Sequence, residues 1–126
     1  MRIGIGHDTH RLQPGGPLRL GGLDLPHSAS TVGHSDADVL LHAITDALLG
    51  AAALGDIGAL FPNTDPANAG RDSAQMLEIA YANVQTAGYA IVNLDCIVFA
   101  EQPKISPHRD ALCQRIAEIL GLSRSQ

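Results

Sequence analysis

The chain has no tryptophan, and only 3% of its residues are aromatic. Exposed rings that stack on bases are the usual device of single-strand nucleic-acid binders, so that class is disfavoured. Basic side chains are also scarce, with 8 Lys and Arg against 13 Asp and Glu, a formal charge of −5. Phosphate-backbone binders normally present a basic face, so no nucleic-acid partner is expected. A phosphate compound held here must find its positive field in a metal and in backbone amides, which suits a small diphosphate rather than a polymer.

Cysteine is limited to Cys96 and Cys113, each with no second cysteine near it in sequence, so no paired-cysteine zinc or redox motif is present. Both fall at apolar-patterned positions and read as small buried thiols in a reducing compartment. No apolar run is long and uninterrupted enough to span a membrane. The opening residues lack the charged, apolar and small-residue succession of a signal peptide, so a cytoplasmic location and no membrane partner are expected. At 126 residues, 45% hydrophobic and with a mean hydropathy of +0.08, residues 1–126 read as a single domain with one core.

Against that background two polar patterns stand out. Ile3-Gly4-Ile5-Gly6-His7-Asp8-Thr9-His10 reads as an extended segment, in which alternate side chains share a face, so Asp8 and His10 point the same way. Asp38, His42 and Asp46 recur every four residues within a segment that is otherwise apolar from Val39 to Leu54. Titratable groups in an apolar setting are costly unless paired, so this stripe must face a metal, another polar group or a ligand. Two His and one Asp form a zinc donor set, and three protein ligands leave the fourth tetrahedral position open.

The remaining elements follow from local punctuation. Leu18–Leu20 and Leu23–Leu25 flank Gly21-Gly22 as a hairpin. Ser35 is placed to cap the long helix, with Asp38 completing a capping box and Gly55 ending it. A turn-rich loop spans Asp56 to Pro66, and Asp72 caps a helix from Ser73 to Ala87 closed by Gly88. Residues 90–100 read as a central strand, and Ser106 as the cap of a last helix with Pro107 at its first position and an apolar face of Leu112, Ile116, Ile119 and Leu120. The expected class is α+β, a mixed sheet with helices on one face.

Gly6-His7-Asp8-Thr9-His10, His34-Ser35-Asp36-Ala37-Asp38, Ala43 to Ala51, Gly55-Asp56-Ile57-Gly58 and Phe61-Pro62-Asn63-Thr64-Asp65-Pro66 occur in an order that resembles the 2-C-methyl-D-erythritol 2,4-cyclodiphosphate synthase family from Met1 to about Gly121. The resemblance implies a phosphorus-oxygen lyase of non-mevalonate isoprenoid biosynthesis. Such an enzyme converts 4-diphosphocytidyl-2-C-methyl-D-erythritol 2-phosphate into the cyclic diphosphate, the 2-phosphate attacking the β-phosphorus and CMP leaving. By position, Asp8, His10 and His42 resemble its zinc ligands, and His34 its transition-state-stabilising residue.

The same resemblance implies substrate contacts from Asp8, Thr9, His10, His34 and Ser35, from Asp56, Ile57, Gly58, Phe61, Pro62, Asn63, Thr64 and Asp65 around the methylerythritol portion, and from Ala100, Glu101, Gln102, Pro103, Lys104, Ile105 and Ser106 around the cytidine. It implies a homotrimer with active sites between subunits, and a second divalent ion, Mg2+ or Mn2+. In the family that ion's protein ligand is the Glu of a Thr-Thr-Glu segment, carried by a loop that comes with another strand past the third helix, beyond Gln126. Asp46 is a candidate to receive the second ring N–H of His42, and Asp38 reads first as a capping residue. Two other classes use the same residues: a metal-dependent phosphohydrolase, and a catalytically dead zinc- or isoprenoid-binding protein if the C-terminal segment is truly absent.

Overall fold

A glycine-alanine contact sets the geometry of the whole site. In the computed structural model, which describes residues 1–126, the helix α1 (Val39–Ala51) carries Ala43, Ala47 and Ala51 along one side. Residues 1–10 lie against that side, and a Cβ on Gly4 or Gly6 would fall only 1.9 or 1.8 Å from the carbonyl oxygen of Ala47 or Ala43. Arg2 donates to the Ala51 carbonyl at 3.2 Å, so the opening segment runs antiparallel to the helix. This docking corrects the expected opening strand. Residues 1–10 have no ladder partner, and Ile3 and Ile5 stay exposed.

Regular strands begin only at β1 (Arg11–Pro14), which pairs antiparallel with β4 (Ala29–Val32). The expected hairpin is present as β2 (Leu18–Leu20) and β3 (Leu23–Leu25). Its turn uses Gly21 and Gly22 at φ of 60° and 76°, a region that favours glycine. The chain is thus α+β, but its ladders are two antiparallel pairs in place of the expected mixed sheet. Residues 90–100 also form no ladder: the Leu94 N–H donates to the Gln126 carbonyl at 2.7 Å. Val92, Ile97 and Phe99 are exposed while Ile91, Leu94 and Val98 pack on the core.

The core is built where α1 crosses α3 (Ser73–Thr86), with Leu41 and Leu77 fully buried, and is closed by α4 (Arg109–Leu120) through Leu112, Ile119 and Leu120. Asp72 caps α3 as expected, accepting from Ala74 N at 2.8 Å, and the helix ends one residue short of the forecast. Four local expectations need correction. The cap of α1 is Asp38 rather than Ser35, and the helix ends at Ala51, with Ala53 at φ 57° leading out of it before Gly55. Ser106 opens a short 3-10 turn, Ser106–His108, instead of capping α4. Cys96 and Cys113 are both exposed, because the segment carrying Cys96 lacks a covering strand and Cys113 lies on the same open side of α4. No helix is long and apolar enough to cross a membrane.

Candidate metal centre

Asp8 and His10, delivered by the opening segment, meet His42 from the first turns of α1. Asp8 Oδ2 lies 2.9 Å from His10 Nε2 and 3.1 Å from His42 Nδ1, and the two ring nitrogens are 3.3 Å apart. Tetrahedral zinc with ligands at about 2.1 Å separates ligand atoms by roughly 3.4 Å, so the triangle needs little adjustment to receive an ion. The three residues form a group that could hold a metal ion.

The donor set also fits through its hydrogen bonds. A ligating histidine donates its other ring N–H to an acceptor, which fixes the tautomer and frees the ligand lone pair. The Nδ1–H of His10 faces the Val32 carbonyl at 2.9 Å at the end of β4, leaving Nε2 for the centre. His42 is reversed: Nδ1 points at Asp8 while Nε2 meets the hydroxyls of Ser73 at 2.7 Å and Ser35 at 3.1 Å. Asp8 is fixed from Oδ1 by the Thr9 N–H at 2.8 Å. Burial pushes its carboxyl up, but the hydrogen bond with His42, the charge of His10, the Thr9 N–H and the charge of His42 together bring it below the usual carboxylate range. It is therefore a ready anionic ligand.

The helical stripe divides into three separate tasks. Asp38 is fully buried, and its carboxylate accepts from Gly21 N at 2.9 Å, Gly22 N at 2.7 Å and Leu41 N at 3.1 Å. It clamps the β2–β3 turn onto the start of α1; burial raises its carboxyl against those three N–H groups. His42 alone joins the metal cluster. Asp46 is not the partner of the His42 ring: its Oδ1 accepts from Ile57 N at 2.8 Å and so fixes the loop carrying Asp56, Ile57 and Gly58.

In that loop Asp56 caps α2 (Ile57–Leu60), accepting from Ala59 N at 2.7 Å. Phe61 is buried beneath the Arg71 guanidinium, 4.9 Å from its ring centre. Asp65 caps the Pro66–Asn68 turn, while Pro62, Asn63 and Thr64 are exposed. His34 is exposed beside Ser35, with its carbonyl held by Gly70 N at 2.8 Å. Of residues 100–106, Ile105 and Ser106 line a cavity of about 380 Å³ with Leu94, Leu112, Cys96 and Cys113, to which Asp8, His10 and His42 contribute nothing. Sequence reading missed Ser73, which reaches His42 from 31 residues away, Asp36, which accepts from the Ser73 hydroxyl, and the Val32 carbonyl, which faces His10 from 22 residues away. The adjacent Ser35-Asp36 pair was the only available signal.

A sequence model described as the YgbB family matches residues 1–126. The chain is 52% identical over 126 residues to 2-C-methyl-D-erythritol 2,4-cyclodiphosphate synthase of Gemmatimonas aurantiaca, all of this chain and 76% of that protein. It is 57% identical over 121 residues to the same-named protein of an Azoarcus species, 96% of this chain and 75% of the relative. A solved structure of 2C-methyl-D-erythritol-2,4-cyclodiphosphate synthase in a CDP-bound form superposes with a TM-score of 0.87 at 41% identity, over 98% of this chain and 83% of that one. A CDP complex of IspF from Plasmodium falciparum gives 0.84 at 35% identity, over 99% and 76%. The chain spans about three quarters of the length of these curated relatives. It belongs to the YgbB family, that of the 2-C-methyl-D-erythritol 2,4-cyclodiphosphate synthases.

Proposed function

We propose that the protein is the CMP-forming lyase that closes 4-diphosphocytidyl-2-C-methyl-D-erythritol 2-phosphate into 2-C-methyl-D-erythritol 2,4-cyclodiphosphate. One observation carries the reading within the molecule: three ligand atoms converge while the non-ligating nitrogen of each imidazole is already engaged. The relatives at 52–57% identity point to the same reaction.

The chemical difficulty is to bring two phosphates together, which costs about 4 kcal/mol per pair of unit charges at 4 Å and an effective dielectric near 20. When bound, zinc at Asp8, His10 and His42 supplies positive charge and polarises a phosphoryl oxygen, and a second divalent ion, Mg2+ or Mn2+, shares that task. Asp8, His10 and His42 keep their converging geometry through the bonds that each makes outside the cluster. His34, exposed at the rim, stabilises charge on the reacting phosphate, and Ser35 contacts the same group. Asp56 to Gly58 and Phe61 to Asp65 hold the methylerythritol hydroxyls, with the loop position set by Asp46.

Ala100 to Ser106 take the cytidine, largely by backbone groups, and Lys104 adds a cation toward phosphate. Ile105 and Ser106 line a cavity that none of the metal-cluster residues lines, which supports an assembled site in which this loop serves a neighbouring subunit, as expected of a homotrimer. Cytoplasmic isoprenoid precursor synthesis is the setting. The test is phosphorus NMR of the purified protein with substrate, zinc and magnesium. Cyclic diphosphate and CMP in equal amounts are expected, whereas inorganic phosphate would identify a hydrolase and overturn the proposal.

A further inference from the structure

We propose that Ser73 and Asp36 are positioning residues that lock the tautomer of His42 and so set the metal affinity of the centre; this rests on reading Asp8, His10 and His42 as a metal site. Ser73 is the first residue of α3 and is completely buried. Its Oγ lies 2.7 Å from His42 Nε2, and its hydroxyl also reaches Asp36 Oδ1. Asp36 Oδ2 accepts the Ser73 N–H at 3.0 Å, and Oδ1 accepts the Asp38 N–H at 3.2 Å. Every partner of this carboxylate is a donor, including the Arg19 guanidinium 3.8 Å away.

That arrangement dictates the direction of the chain of hydrogen bonds. A carboxylate only accepts, so the Ser73 proton goes to Asp36. Ser73 Oγ is then left as the acceptor, and the proton between it and the ring must belong to His42 Nε2. With Nε2 holding its own hydrogen, Nδ1 is the nitrogen left to ligate: in the metal-free chain it donates to Asp8 Oδ2, and an ion at the position faced by Asp8 Oδ2 and His10 Nε2 takes the place of that hydrogen and receives the lone pair. His10 obtains the same result more simply from the Val32 carbonyl. Ser35 also approaches His42 Nε2, at 3.1 Å, but its oxygen accepts the Ala37 N–H and has no carboxylate behind it. Ser73 is thus the stronger partner. Nothing covalent is transferred; the relay holds a ring and a proton in place.

The experiment measures zinc affinity by chelator competition for the whole protein and the variants Ser73→Ala, Asp36→Asn and Ser35→Ala, with nitrogen-15 NMR of His42 in the metal-free state. Loss of such outer partners typically weakens metal binding by about 10 to 100-fold, and that loss is expected for Ser73→Ala, with a smaller one for Asp36→Asn and the least for Ser35→Ala. The His42 spectrum of Ser73→Ala should lose its Nε2–H signature, the ring passing to the Nδ1–H form held by Asp8 alone. Ser73→Thr, which keeps the hydroxyl, should recover affinity and spectrum together. If Ser73→Ala does not fold, Asp36→Asn carries the same test through the intact serine. Unchanged zinc affinity and an unchanged His42 spectrum in a folded variant would overturn the relay. Failure of the unaltered protein to bind zinc would instead overturn the metal site itself.

Discussion

The metal centre and the 90–106 segment obey opposite rules. Around the metal centre each polar atom is answered from within the same chain: Thr9 for Asp8, Val32 for His10, Ser73 for His42 and Gly21, Gly22 and Leu41 for Asp38. Residues 90–100 form no ladder, leave Val92, Ile97 and Phe99 open, and lead into a loop that lines a different cavity. One chain suffices to preorganise metal ligands. Residues 90–106 leave apolar side chains open to solvent instead.

The contrast breaks most severely at the ligands. Asp8→Ala, His10→Ala and His42→Ala should each lose zinc on dialysis and slow CMP release by about 10³-fold or more, whereas replacing His34 should leave zinc bound and slow only the chemical step. Gly6→Ala comes next. Its methyl cannot occupy a position 1.8 Å from the Ala43 carbonyl oxygen, so the segment bearing Asp8 and His10 must leave α1, and zinc content should fall with little loss of helix by circular dichroism. Gly33→Ala should act in the same direction more mildly, because its methyl would meet Ala37 Cβ at 2.8 Å and the His10 ring at 3.0 Å.

Asp38→Ala tests the scaffold rather than the ligands. Removing a cap and stranding the Gly21 and Gly22 N–H groups should cost about 3 kcal/mol in urea unfolding. Asp8 is held below the ordinary carboxylate range, so it remains an anion in mild acid. Because metal binding needs deprotonated ligands, zinc affinity should fall as the pH is lowered, as an equilibrium-dialysis series would show. In the metal-free chain the depressed carboxyl contributes stability that is present above about pH 4, the unfolded value, and lost as pH falls through the lower folded one. The smallest effect belongs to the other region: Lys104→Ala should raise KM for the cytidyl substrate a few fold and leave zinc affinity unchanged.

What could be read from sequence divides along the same line. The ends of α3 and the β2–β3 hairpin were readable because their signals, an aspartate cap and paired glycines, act within a few residues. Asp8, His10 and His42 were readable because spacing places ligands on one face of a segment or helix. The strands expected at 3–10 and 90–100 were not, since a strand exists only with a partner and apolar alternation does not supply one. Ser73 and Asp36 escaped notice for a related reason: Ser73 lies 31 residues from His42 and 37 from Asp36, and only the docking of α3 on α1 brings them together.

The most direct measurement is X-ray absorption at the zinc edge on the purified protein after one equivalent of zinc has been added. The account predicts full occupancy by one ion, with nitrogen and oxygen neighbours at about 2.0 to 2.1 Å and the outer-shell pattern of two imidazoles. Sulfur neighbours near 2.3 Å, a single imidazole, or zinc lost on dialysis would contradict it.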